Sequence, residues 1–310
     1  MLPEPDELAG ALLDLAVAHE DIDTTVRLSR RVSDDARALA CLERYVALLV
    51  RDMGEVRAPV DLPAYPGSCA ATARHFPLYV FAAALPYVRA YHRALGVPEE
   101  VSRHTLADVG RGVAKHRRRH GTGGLLKPRW LHLHFHGELY QLGRLQFQRT
   151  RLGSWTGDAV AAAGLPAGPG DPALAVHVPD FLGPLTPEAC DRSVASARAF
   201  FARHFPRERY AAATCGSWLL DPQLKRYLPS DAHIVRFQER FRLSHLPEEP
   251  DDTAPVRYVF GTTDVPLDRL PRRTRLERAL VDHLRDGGHW YVGHGWFPWE
   301  GEGTRTGEPA

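Results

Sequence analysis

Three groupings of residues have types and spacings that could do chemistry. The first is Leu174-Ala-Val-His177-Val178, a short strand-like run whose alternation sends His177 off the face opposite to Val176 and Val178. A free imidazole titrates near ~6.5, so His177 suits a general base, which typically contributes ~10²–10⁴-fold. A histidine hydrogen-bonded structurally at a strand edge fits the same pattern. The second is Cys215-Gly216-Ser217, where alternation puts the thiol and the hydroxyl on one face. Either could donate a proton or hydrogen-bond a substrate, and Cys215 could be a nucleophile in a two-step transfer. A small buried hydrophobe is the simpler reading of Cys215. Gly216 permits close backbone approach or marks a bulge.

The third grouping is His132-x-His134-x-His136-x-Glu138. On a strand the three histidines share a face and could bind zinc or iron. On a helix His132/His136 and His134/Glu138 are separate pairs four residues apart. No second cluster of metal-ligand spacing stands elsewhere in the sequence, so no metal is expected, with a His-cluster metalloenzyme as an alternative. His116-Arg-Arg-Arg-His120 reads as a solvated basic helix end. Its other reading is an attraction for phosphates or an acidic carrier protein.

These groups sit in a chain of ordinary globular composition. It has 310 residues, 44% hydrophobic and 25% charged, with a net charge of +1. That length suits about two domains of roughly 150 residues each. The near-neutral balance gives no case for a nucleic-acid partner. Apart from Lys115, Lys127 and Lys225, every basic residue is arginine, as a GC-rich coding bias would give. No apolar run reaches the ~18–20 residues of a membrane span. The longest, Phe76 to Val88, contains Pro77 and Pro86. The acidic N-terminus lacks the apolar core of a secretory signal. Cys41, Cys69, Cys190 and Cys215 show no paired spacing, so reduced thiols and a cytoplasmic location are expected.

The elements that would position these groups fall into two sets. Residues 5–19, 21–31 and 39–53 carry apolar residues at helical spacing. Helices follow over 70–95, where Pro77 and Pro86 predict a break, and over 98–119, after a loop holding Pro59, Pro63, Pro66 and Gly67. The segment 130–142 fits both periods, and the longer match predicts a helix. From about residue 144 short strands alternate with helices. Strands are predicted at 144–149, 174–178, 210–219, 256–260 and 289–297. Helices are predicted from Thr186-Pro187, over 232–242, and over 274–285 ending at Gly287-Gly288. The fold class is α+β: an all-α domain over 1–125, a mixed-sheet α/β domain over 126–298, and a disordered tail over 299–310.

Several segments, in order over about residues 120–298, resemble one bacterial family of two-domain acyltransferases. They are Leu142-Gly-Arg-Leu-Gln-Phe, Val176-His-Val-Pro, Gly183-Pro-Leu, Ser217-Trp-Leu-Leu-Asp-Pro, Ile234 to Phe241, Leu270-Pro271 with Thr274, and Gly293-His-Gly-Trp-Phe. The family joins a helical N-acyltransferase N-terminal domain to a GNAT-like C-terminal domain. The resemblance implies an N-acyltransferase with an acyl-thioester donor, either acyl-CoA or a phosphopantetheine-linked acyl group on an acyl carrier protein. It implies an amine or other small-molecule acceptor that attacks directly with general-base help. A catalytically idle module that binds acyl-CoA or a carrier protein is the alternative.

Carried onto this sequence, the resemblance puts the donor in a splay between 174–178 and 211–219, with Val178, Gly183, Leu185, Arg192 and Gly216 along it. His177 is then the base, Cys215, Ser217 and Tyr227 are candidates for protonating the leaving thiolate, and Asp221, His233 and Gln238 border the acceptor. One departure stands out. The phosphate loop expected before the helix is replaced by Pro179-Asp-Phe-Leu-Gly-Pro-Leu-Thr-Pro, and Glu188 and Asp191 put negative charge in the first turn. Arg192 could compensate.

Overall fold

The computed structural model describes residues 2–57, 65–125, 128–263 and 265–299. Pro59, Pro63 and the expected tail beyond Trp299 lie outside the described residues. The chain divides into two compact units, Met1–Gln141 and Leu142–Ala310.

The first unit is helical: α1 (Pro5–Asp14), α2 (His19–Ser33), α3 (Ala36–Val50), α4 (Ala70–Ala94), α5 (Glu99–Leu106), α6 (Asp108–His120) and α7 (Pro128–Phe135). Asp35 caps α3 by accepting from the amides of Arg37 and Ala38. The expected break in α4 does not occur, and the helix runs through Pro77 and Pro86 for 25 residues. An interior proline costs about 3 kcal/mol. Here Phe76, Leu78, Tyr79, Val80, Phe81, Leu85 and Val88 are buried around the helix. Each such side chain contributes roughly 1.5–3 kcal/mol, so the packing of the central strut outweighs both prolines. The Tyr79 hydroxyl donates to the Thr25 carbonyl at 2.7 Å, tying α4 to α2.

The ambiguous segment is half of each reading. Gly137, at φ +75°, ends α7, and β1 (Leu139–Leu142) follows. The histidine-rich cluster is therefore buried at the turn between a helix and a strand. His132, His136 and Glu138 bring one ligand atom each within 4.8 Å of one another. However, His136 Nδ1 lies 3.0 Å from Glu138 Oε1, and its Nε2 lies 3.0 Å from the Arg51 carbonyl. A carboxylate and a carbonyl both accept, so His136 donates from both nitrogens and is itself the cation of the cluster. Burial opposes that charge, yet the bonds to Glu138 and Arg51 hold its pKa above the ordinary histidine value. His132 stacks on it with ring centroids 5.0 Å apart. Burial and then the His136 charge push His132 down to about 4. Burial likewise pushes His92 and His134 down to about 4.

The second unit carries β2 (Leu145–Arg151), α8 (Ser154–Ala162), β3 (Pro172–His177), α9 (Pro187–His204), β4 (Ala212–Ser217), α10 (His233–Gln238), β5 (Arg242–His245), α11 (Thr253–Phe260), α12 (Arg275–Arg285) and β6 (Gly293–Pro298). The mixed six-stranded sheet has the order β1-β2-β3-β4-β6-β5. β3 and β4 are parallel, with α9 as their crossover, whereas β2–β3, β4–β6 and β5–β6 are antiparallel. Thr186 caps α9, as the sequence predicts, and Thr274 caps α12. Residues 256–260 are helix rather than strand. Asp251 accepts from the Thr253 hydroxyl and the Ala254 amide at the start of α11, and Gly261 at φ +74° closes it. Local capping overrides the β-branched run. Leu152, Val160, Ala173, Ala212 and Trp296 pack together where α8 covers one sheet face.

Two outcomes test this packing. The Gly110 amide donates to the Leu15 carbonyl at 3.0 Å, and a Cβ at Gly110 would sit 2.0 Å from the Ala16 carbonyl oxygen. Gly110→Ala is expected to destabilise the first unit by about 1–3 kcal/mol, as overpacking does, read as a lower urea midpoint. The buried histidines set a pH dependence. His92, His132 and His134 are depressed from an unfolded value near ~6.5, so their contribution is present above that value and lost as pH falls toward about 4. His136 is raised and works the other way, losing its contribution as pH rises through its folded value. Urea midpoints measured across the acid range should therefore fall steeply below about pH 6.5, and a flat profile would refute the assignment.

Candidate functional site

β3 and β4 are in register only at Leu174↔Ala213 and Ala175↔Thr214, although the strands continue to His177 and Ser217. Their C-terminal ends therefore part, leaving the facing backbone edges beyond Ala175 and Thr214 without sheet pairing to each other. A pocket of about 590 Å³ opens beyond these ends. Its walls include Val178, Leu185, Trp218, Leu219, Leu228, Ile234 and Tyr258, and Arg144, Asp231, His233 and Arg275 also line it. A crevice outside the carboxyl ends of parallel strands is where open α/β sheets bind ligands.

His177, half-buried, is the residue before pocket-lining Val178. Its Nε2 lies 2.9 Å from Gln148 Oε1 on β2. An amide oxygen only accepts, so Nε2 carries the proton and the lone pair is on Nδ1. The base candidate is thus oriented by a neighbouring strand, through Gln148, which carries no signal in the sequence.

Cys215 does not join it. Thr214 pairs with Ala175, so alternation puts Cys215 on the sheet face opposite to His177. The thiol is buried, and burial pushes its pKa up to about 12. A thiol in that state stays protonated at neutral pH and is unsuited to nucleophilic attack. Ser217 caps a short 3-10 turn over 218–220, its Oγ accepting from the Leu219 amide at 3.1 Å. Gly216 is exposed at the fork.

The remaining candidates divide between the pocket and the scaffold. Val178, Leu185 and His233 line the pocket. Asp221 is fully buried. Its Oδ1 accepts from the Gln223 amide at 2.9 Å and its Oδ2 from the Tyr291 amide at 2.9 Å. Gln238 is also buried and donates to the Leu219 and Asp221 carbonyls, each at 2.7 Å. Both tie backbone segments together, and neither is among the residues lining this pocket. Tyr227 bonds His283 Nδ1 at 2.9 Å, while His283 Nε2 donates to the His289 carbonyl. That tautomer makes Tyr227 the donor, so its proton is already engaged.

The segment between β3 and α9 replaces a phosphate loop. Arg144 holds it, donating from Nε to the Gly183 carbonyl and from Nη1 to the Pro179 carbonyl, each at 3.0 Å. Within it Gly183 takes φ +76°, and Phe181 takes φ +60° with its ring 54% exposed. A bulky residue in the left-handed region costs roughly 1–2 kcal/mol. At the start of α9, Pro187 has no N–H. The Glu188 carboxylate takes its own amide, the Ala189 amide bonds Thr186 Oγ1, and the Cys190 amide bonds the Thr186 carbonyl. The helix N-terminus is thus already satisfied. Arg192 is exposed next to Glu188, whose carboxyl is held below its usual range chiefly by that backbone bond. Neither Arg144 nor Phe181 follows from local sequence.

Known proteins supply the context. Residues 6–137 match the N-acyltransferase N-terminal domain family, and residues 139–297 match the GNAT-like C-terminal domain family. No curated protein sequence matches. A solved acyltransferase in complex with decanoyl-CoA and teicoplanin is 37% identical, with a TM-score of 0.84, over 97% of this chain and 90% of its own. An acyltransferase in complex with decanoyl-CoA is 39% identical, with a TM-score of 0.83, over 96% of this chain and 89% of its own. A tryptophan-to-alanine acyltransferase variant with octanoyl-CoA is 37% identical, with a TM-score of 0.84, over 96% and 89%. With both domains matched in order and likeness running through nearly the whole chain, this protein belongs to the family of two-domain acyltransferases that join an N-acyltransferase N-terminal domain to a GNAT-like C-terminal domain.

Proposed function

We propose that this chain moves an acyl group from acyl-CoA to the amine of a small-molecule acceptor by direct attack. The observation that carries the reading is the fork: two parallel strands that part beside an oriented histidine and open on a largely apolar pocket. Three neighbours of the same length class hold an acyl-CoA, and one of them also holds teicoplanin, a small-molecule ligand.

The fork suits a pantetheine arm, because an extended chain of amides can pair with open strand edges as an added strand does. The apolar walls around Leu185, Trp218, Leu219 and Leu228 suit an acyl chain or the arm leading to it. With α9 satisfied at its N-terminus, the CoA phosphates need side-chain cations, and Arg275 and His233 are the exposed basic groups of the pocket. In the reaction the acceptor nitrogen loses a proton to His177 Nδ1 and attacks the thioester carbonyl. The adduct then collapses with cleavage of the C–S bond. Successive N–H groups along β4 point to opposite edges, so one of the two at Cys215 and Gly216 faces the fork, where it can receive the carbonyl oxygen, while the other faces β6. The buried, protonated Cys215 supports a single transfer without an acyl-enzyme.

A thiol-release assay with an acyl-CoA series, an acyl carrier protein and a panel of amines, glycopeptides included, tests the reading. His177→Ala is expected to lower kcat by about 10²–10⁴-fold. Cys215→Ala should leave kcat within a few-fold of wild type, and no acyl-enzyme should be trapped. Tight CoA binding in calorimetry, with no thiol release from any donor, would instead identify a binding module.

A further inference from the structure

His294 belongs to the Gly293-His-Gly-Trp-Phe segment, and the reaction above assigns it nothing. It lies on β6 directly opposite Gly216 of β4. A Cβ added at Gly216 would lie 3.2 Å from both Cε1 and Nδ1 of His294. The imidazole therefore lies over β4, in space that any other residue at 216 would fill. Ala175 pairs with Thr214, and alternate residues share a face, so His177, Gly216 and His294 all emerge on one side of the sheet. Paired strands lie about 4.8 Å apart, so His177 and His294 are at least about 10 Å apart at Cα, and the parting of β3 from β4 puts the fork between them. The His294 ring leans into that interval, and both histidines are half-buried. His245 on β5 is next in the row, its ring centroid 6.1 Å from that of His294.

We propose that His294 is a second catalytic imidazole, which takes one of the two protons an acceptor ammonium must lose. The inference rests on the acyl-transfer reading. The ammonium loses one proton before it attacks, the C–N bond forms, and the nitrogen of the adduct loses a second. The C–S bond then breaks, and the departing thiolate takes up one proton while the other goes to solvent. Imidazoles on either side of the fork allow each proton its own acceptor within one turnover.

The surroundings of His294 fit an acceptor. Burial, then the neighbouring His245, hold its pKa below the ordinary histidine value, so it is unprotonated near neutrality. His245 is the titratable group facing it from β5. On β4 the paired residue is glycine, and Cys215 faces the other way, opposite Gly295. α8, which packs against β6, carries only Asp158, which is exposed, and the turn over 218–220 carries no titratable side chain.

The test is steady-state thiol release with decanoyl-CoA and the best amine of the panel, for wild type, His294→Gln, His294→Ala and Gly216→Ala. Melting curves establish that each variant folds. The expected result is a fall in kcat of about 10–100-fold in both His294 variants, with KM for decanoyl-CoA within about two-fold and partial rescue of His294→Ala by added imidazole. Gly216→Ala keeps both histidines but displaces the ring, and should lower kcat by a smaller factor. It also serves as the decisive variant should both His294 changes prevent folding. Wild-type kcat in His294→Gln, or a change confined to KM, would overturn the inference alone. Absence of wild-type turnover with every donor would overturn the acyl-transfer reading and this inference with it.

Discussion

The site depends on a pairing that is not made. Parallel strands are stable because each backbone group finds a partner across the ladder, and a pair that separates inside a sheet leaves donors and acceptors exposed to whatever enters. β3 and β4 hold register at two residue pairs and then part. They are kept apart from outside. β2 pairs along the whole of β3, and β6 pairs along the whole of β4, so each strand of the fork is anchored on its far edge. The opening is thus framed on both sides by the sheet order.

The same logic explains the loop between β3 and α9. In a fold that grips phosphate with a helix N-terminus, the first-turn amides must be unengaged. Here proline, a threonine cap and the Glu188 carboxylate have taken them, and Arg144 has fixed the loop by two carbonyls. What is lost in dipole is small, about 0.3–1 kcal/mol for each charge. What is gained is a loop whose course is set before any ligand arrives. A donor entering this pocket meets a preformed apolar wall and side-chain cations.

Much of the fold is legible in the sequence because its signals are local. Thr186-Pro187 and Thr274 mark helix starts through their own hydroxyls, and Gly287 marks an end. The misreadings have tertiary or competing local causes. Pro77 and Pro86 stay inside α4 because the burial around that helix exceeds their cost. Residues 256–260 form a helix because the Asp251 and Gly261 caps act against a β-branched run. At the site, His177 is legible from alternation alone. Cys215 is the small buried hydrophobe of its simpler reading, but the face it takes relative to His177 depends on register with β3, which no local pattern encodes. Asp221, an acceptor contact by the resemblance, has its carboxylate taken by the amides of Gln223 and Tyr291, the latter 70 positions away. Gln148, Arg144 and His294 act across strands. Only the glycines flanking His294 and the one opposite it hint that space was kept for a ring.

Burial sorts the histidines by the chemistry open to each. A base must change protonation state near neutrality and must reach its substrate. His92, His132 and His134 fail on both counts, since burial holds them near 4 and nothing can approach them. His136 fails for the opposite reason, being fixed as a cation between Glu138 and a carbonyl. The dense cluster that draws the eye in the sequence is thus the least able to move a proton. His177 and His294 keep one side open, and each has a strand neighbour, Gln148 or Gly216, that sets its ring in place. A half-buried imidazole whose ring is set by a neighbour on the adjacent strand, at the edge of an unpaired fork, has a fixed direction toward whatever enters, which proton transfer requires.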